Sequence, residues 1–141
     1  MPAYTVIPPY KNLTPKTPKP DDPGLPYFIT AQEGVPVIYS EDTIPTCGVR
    51  VVHPSNSKAP SKGLGVSILY VPPMSVMALH NHEAEECYII QSGRGEMLYR
   101  DGSRSVSVGD YIYLPAWCEH GIINSGPEML VVILALTPPN P

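Results

Sequence analysis

This sequence of 141 residues is poor in charge, in histidine and in aromatic residues other than tyrosine. Asp, Glu, Lys and Arg together make up 16% of it, and the formal net charge is -4. So mild an acidic balance argues against a nucleic-acid surface or an anionic membrane face. Long hydrophobic runs are missing too. The longest, Met129 to Leu136, has eight residues, far short of the ~20 that a membrane-spanning helix needs. Cysteine is limited to Cys47, Cys87 and Cys118, an odd count without CxxC spacing. That reads as three buried or half-buried free thiols in a reducing compartment, not as a disulfide scaffold. No basic stretch leads into an apolar one at the N-terminus, so no secretory leader is read and a cytoplasmic location is expected. No segment carries a convincing 3.6-residue apolar period, which leaves little room for helix.

Proline is the surplus, with 19 residues, eight of them between Pro2 and Pro26. Proline lacks an amide donor and restricts the residue before it. The stretch PPYKNLTPKTPKPDDPGLP therefore reads as an extended arm within residues 1–34. Its apolar ends, Tyr4 to Tyr10 and Leu25 to Ile29, suit docking on the domain or on a partner subunit. From Gly65 onward the chain is a series of short runs rich in Val, Ile and Tyr, cut by Gly and Pro. GVSILYV, EMLYR, RSVSV, YIYL and MLVVILAL are examples, and DGS is a two-residue hairpin signal. Two more strands are expected upstream, near Val35 to Ser40 and Gly48 to His53. Residues 35–141 thus form one all-β domain of nine or ten antiparallel strands, a sandwich or a barrel.

The scarce histidines are not scattered. In LHNHEAEECYIIQSG, His80 and His82 are one residue apart, directly ahead of Glu83, Glu85 and Glu86. Strand alternation projects His80 and His82 to one side, on the face of Val76 and Ala78. After a turn through Glu83 to Glu85, Glu86 can face back toward the same space. His120 opens the run EHGIIN, and a closed barrel would bring it near. Two imidazoles and a carboxylate are ligands that a borderline divalent metal prefers. His53, ahead of Pro54, reads as a surface or loop residue.

These residues resemble the two cupin motifs. The first is His-x-His, three or four residues, Glu, six residues, Gly, and matches His80, His82, Glu86 and Gly93. The second is Gly, five residues, Pro-x-Gly, two residues, His, three residues, Asn, and matches Gly109, Pro115, His120 and Asn124. Both spacings choose Glu86 over its neighbours. Met74 stands where the first motif leads with glycine, and Trp117 stands at the glycine of Pro-x-Gly; neither is a ligand position. The chain is thus similar to small single-domain cupins of the RmlC-like jelly-roll superfamily. The resemblance implies a double-stranded β-helix barrel carrying the Pro-rich arm. It also implies one divalent metal on His80, His82, Glu86 and His120, and a homodimer. Iron(II) is favoured, with manganese, nickel, cobalt or zinc as alternatives.

Imidazole and carboxylate ligands with open coordination positions make a catalytic site rather than a structural one. Parity suggests Ala78, Tyr88, Ile90, Tyr99, Trp117, Cys118 and Ile122 as pocket neighbours, with one of the pairs Met97/Tyr99 and Tyr111/Tyr113 facing inward. Tyr88 is the catalytic candidate, as hydrogen-bond donor or proton carrier, and Glu86 shares that role if it is not a permanent ligand. Arg94, Arg100 and Arg104 sit in or beside turns, so no inward cationic clamp stands out except Arg50 on an upstream strand. A small, mostly uncharged or aromatic oxygenated substrate is expected. Three functions follow. The first is a dioxygenase acting on a chelated diketone, phenolic or aromatic substrate. The second is a non-redox lyase, decarboxylase or isomerase, and the third a barrel that binds a small ligand without catalysis.

Overall fold

The runs rich in Val, Ile and Tyr are strands in the computed structural model of the protein, which describes residues 3–6, 14–39 and 44–140. In chain order they are β1 (Val35–Ile38), β2 (Cys47–Val52), β3 (Gly65–Val71), β4 (Val76–His80) and β5 (Glu85–Ser92). β6 (Arg94–Tyr99), β7 (Gly102–Ser107), β8 (Tyr111–Leu114), β9 (His120–Ile123) and β10 (Leu130–Thr137) follow. A six-stranded sheet runs β1-β2-β3-β10-β5-β8 and a four-stranded sheet β4-β9-β6-β7, with antiparallel neighbours throughout. The only helix among the described residues is a 3-10 turn, Ala31–Glu33. No helix among them is long and apolar enough to cross a membrane.

Period-two burial explains how the sheets pack. In β3, Gly65, Ser67, Leu69 and Val71 are buried while the residues between them are half-buried. In β10, Leu130, Val132, Leu134 and Leu136 alternate in the same way. These inner residues meet Met77, Met97, Val106 and Ile122 of the other sheet in one core. A buried side chain of this size contributes roughly 1.5–3 kcal/mol, so the interleaving of the two sheets supplies most of the fold's stability.

The turns follow local chemistry. Gly93 lies between β5 and β6 with φ 80, and a Cβ there would sit 2.5 Å from the Met129 carbonyl oxygen, so only glycine fits. The β6–β7 loop is Arg100 and Asp101, with Gly102 already paired to Tyr99. The DGS signal therefore marks the right hairpin but places its loop one residue late. Residues 14–29 have no regular structure and are almost wholly exposed; Leu25 and Phe28 are 87% and 91% exposed. The arm's other apolar end, Tyr4 to Tyr10, falls partly outside the described residues, as does Ser40 at the end of the first expected strand. Cys47, Cys87 and Cys118 are free and half-buried.

Candidate metal centre

Three elements bring the histidines together. β4 ends at His80, His82 follows in the loop toward β5, and β9 starts at His120. His80 and His120 are direct cross-strand partners. The ring centroids lie 4.3 Å apart for His80 and His120, 5.0 Å for His82 and His120, and 5.9 Å for His80 and His82. One ligand atom from each ring lies within 4.8 Å of the other two, a spacing that a single metal ion can span.

Hydrogen bonding decides which nitrogen is free. The Nδ1 atoms of His80, His82 and His120 lie 2.8, 2.9 and 2.8 Å from the carbonyl oxygens of Ala78, Ala84 and Cys118. A carbonyl only accepts, so each Nδ1 must carry the proton and each Nε2 presents a lone pair. Nε2 of His120 is buried without a hydrogen-bond partner. Glu86, 4% exposed, sets Oε1 at 3.2 Å from Nε2 of His82 and 3.4 Å from Nε2 of His120. Lone pairs facing a buried carboxylate repel unless a cation lies between them. The donor set fits a divalent ion of borderline softness. Burial holds the His80 imidazole below its ordinary pKa, and the charges of His120 and His82 act the same way, so it stays neutral and free to ligate.

One expectation is corrected here. Simple alternation placed Ala78 on the face of His80, but β4 carries a register shift between Met77 and His80. Met77 pairs with Ile122 and His80 with His120, so three steps on β4 match two on β9. The extra residue reverses parity: Met77 is buried, whereas Val76 and Ala78 are exposed. Ala78 serves instead through its carbonyl, and Met77 is the inward residue that parity missed. The bulge packs on β9 at Gly121, where a Cβ would lie 2.6 Å from the Met77 carbonyl oxygen.

The other named residues sort by depth. Tyr88 is 1% exposed, and its ring meets the edge of His120 at 5.8 Å between centroids. Its hydroxyl makes one contact, to the Met77 sulfur at 3.9 Å. Burial, then the negative charge of Glu86, pushes its pKa well above the ordinary phenol value, so the hydroxyl keeps its proton. Ile90 and Ile122 lie deeper in the core. Tyr99, paired with His120, stands at the rim with its hydroxyl toward the Ser103 carbonyl, and the Tyr111 and Tyr113 side chains are exposed. Trp117 is also exposed, yet its amide donates to the His82 carbonyl at 2.8 Å and ties the two ligand loops together. Cys118 is half-buried beside the core. Asn124 is wholly buried and structural: its Nδ2 donates to the carbonyls of Val71 and Glu128. His53 is in a loop as expected, but it is buried, and its Nε2 bonds the Pro139 carbonyl.

Residues 67–136 match the family of the cupin domain, and the chain carries a small cupin domain. Comparison with curated proteins finds no match. Among solved structures, the chain is similar to a predicted oxalate decarboxylase from Thermotoga maritima. That likeness has a TM-score of 0.65 at 19% identity and covers 78% of this chain and 97% of that one. It is also similar to an RmlC-like cupin from Shewanella frigidimarina, with a TM-score of 0.63 at 12% identity over 81% and 92% of the two chains. A DMSP lyase from Ruegeria pomeroyi matches with a TM-score of 0.52 at 24% identity, over 57% of this chain and 42% of that one. Likeness at these identities bears on the jelly-roll fold.

Proposed function

We propose that the protein is a metal-dependent enzyme that holds one divalent ion on His80, His82 and His120, with Glu86 as fourth ligand, and turns over a small oxygen-bearing substrate beside it. The carrying observation is that three Nδ1 atoms are bound to carbonyls, which leaves three Nε2 lone pairs converging on one point. Iron(II) bound there would supply dioxygen chemistry on a diketone, phenolic or aromatic substrate, whereas manganese, nickel, cobalt or zinc would supply Lewis-acid polarisation of a carbonyl. The chain's own residues do the rest. The carbonyl bonds lock the ring orientations, the bonds of Ala84 and Trp117 fix the His82 loop, and the apolar neighbours Ile90 and Ile122 keep water from the inner side.

Dioxygenase activity is the first reading. A specific observation favours the second, a lyase, decarboxylase or isomerase: the Tyr88 hydroxyl is protonated, buried beside His120 and without a strong hydrogen-bond partner. It is free to donate a hydrogen bond to a bound substrate. The names of two structural neighbours, a decarboxylase and a lyase, fit that reading. Turnover of a diketone and catechol panel by iron-loaded protein, in air and under strict anaerobiosis, separates the two. Loss of turnover without dioxygen supports the first. Undiminished turnover overturns it and leaves the second, in which Tyr88→Phe lowers kcat by about 10²–10³.

We also propose that the protein is a homodimer. The outer face of the six-stranded sheet carries an unbroken apolar row across all six strands, Pro36, Val49, Ile68, Ile133, Ile89 and Tyr111. A second copy presenting the same row is self-complementary. The exposed arm residues Leu25, Tyr27 and Phe28 add apolar surface that a partner would cover.

A further inference from the structure

Strand register puts an arginine inside the barrel. Arg50 on β2 pairs with Ser67, Ser67 with Leu134 on β10, and Leu134 with Tyr88 on β5. Direct partners share a face, and Ser67, Leu134 and Tyr88 are buried, so Arg50 projects to the same interior. Its Nε is buried and makes no hydrogen bond. Among the described residues no carboxylate lies within ion-pair distance of it. A half-buried, inward guanidinium with no anion among the described residues is costly to maintain.

Its surroundings connect it to the metal centre. Tyr39 lays its ring over Gly48, the neighbouring inner position of β2, at 3.1 Å from where a Cβ would be. The Tyr39 hydroxyl lies within electrostatic reach of the Ser67 hydroxyl, of Arg50 and of Glu86. Tyr88 senses Glu86 and Tyr39 in turn. The guanidinium and the histidine centre thus face the same barrel interior, and Tyr39 lies within electrostatic reach of Arg50 and of Glu86. Its titratable neighbours do not neutralise Arg50. Burial raises the Tyr39 hydroxyl and lowers the His53 imidazole, so both are uncharged at neutral pH.

We propose that this space is a carboxylate site: the substrate is a small monocarboxylate with a second oxygen beside it, its carboxylate held by Arg50 and the hydroxyls of Tyr39 and Ser67, its other oxygen turned to the histidine centre. This rests on the metal-centre reading and names its substrate class. It replaces the expectation of an uncharged substrate. A planar singly charged group suits one guanidinium flanked by two hydroxyls, whereas a phosphate dianion calls for more cations.

Pyruvate and its uncharged analogue 2,3-butanedione test the idea directly. Each is titrated by NMR into wild type and Arg50→Gln, both metal-free and manganese-loaded, with metal content counted. Wild type should bind pyruvate at least about tenfold more tightly than butanedione, and Arg50→Gln should lose about tenfold or more for pyruvate alone, with metal content unchanged. The variant should melt at or above the wild-type temperature, because a half-buried charge with no anion among the described residues is gone; a structural arginine would give the opposite. Tyr39→Phe and Ser67→Ala should each lose a smaller part of the pyruvate affinity, and they carry the test if Arg50→Gln does not fold. Equal binding of the two probes by wild type, unchanged pyruvate affinity in Arg50→Gln, or tighter binding of inorganic phosphate overturns the proposal. Failure of manganese, and then of iron(II), nickel, cobalt and zinc in turn, to bind would sink the metal reading instead. The pyruvate preference of metal-free protein, and its loss in Arg50→Gln, would then still decide the role of Arg50.

Discussion

Met74 and Trp117 both have φ 67, and they are the non-glycine residues with left-handed backbone among those described. They are also the two positions where this chain departs from the cupin motifs. The departure was legible as a change of letter. That the backbone keeps the glycine conformation was not, because it depends on bonds made elsewhere: Met74 N–H to the Asn124 carbonyl and Trp117 N–H to the His82 carbonyl. A left-handed residue with a Cβ costs roughly 1–2 kcal/mol, while glycine loses about 0.4–1 kcal/mol through the entropy of its unfolded chain. Both side chains are exposed and so lose little packing when removed. Met74→Gly and Trp117→Gly should therefore each stabilise the protein by about 0.5–1 kcal/mol, measured by urea denaturation. A loss larger than that in either would show that the side chain, not the backbone, holds the turn. Glu86, by contrast, was picked out by its fit to the first cupin motif, on which two intervals agree, and its carboxylate lies beside His82 and His120. Arg50 stood out as a candidate clamp on an upstream strand, but its inward face was not legible until the β2–β3 register was known.

At the scale of elements, β3 and β10 read cleanly, since alternating burial in a two-sided strand leaves its mark on composition. β4 did not. A β-bulge is an extra residue without a sequence signature of its own, and it reversed the side on which Ala78 and Met77 lie. The trace it left is Gly121, which accepts the bulged backbone at a distance no Cβ tolerates. Gly121→Ala should cost about 2–3 kcal/mol and, by pushing β4 from β9, should lower metal stoichiometry as well. Thermal denaturation and metal analysis of the same sample check both parts. Wild-type stability with full metal occupancy would mean that the bulge does not position His80.

For the whole molecule, the six-stranded sheet is the element with an apolar face turned outward. Its inner face is closed by the four-stranded sheet, and its outer face carries the apolar row from Pro36 to Tyr111. The sequence hinted at this through the two-sided apolar run MLVVILAL, in which Ile133 faces out between inward Val132 and Leu134. Sedimentation velocity should find a dimer for wild type and a folded monomer for Ile133→Lys, since a lysine at the centre of the row would be buried without a partner. Removal of the residues before Pro26 should yield a monomer or an unstable protein if the arm covers the partner. A dimer in Ile133→Lys would place the interface elsewhere, and a stable dimer without the arm would deny the arm that role.

The central claim is that three imidazoles and a carboxylate hold a metal ion. Inductively coupled plasma mass spectrometry tests it on protein purified without an affinity tag, beside His120→Ala. Wild type should carry close to one divalent ion per chain, falling to a small fraction of that in the variant, which lacks the most deeply buried of the four ligand side chains. Absence of metal from wild type, even after reconstitution with iron(II), manganese, nickel, cobalt and zinc in turn, would contradict it.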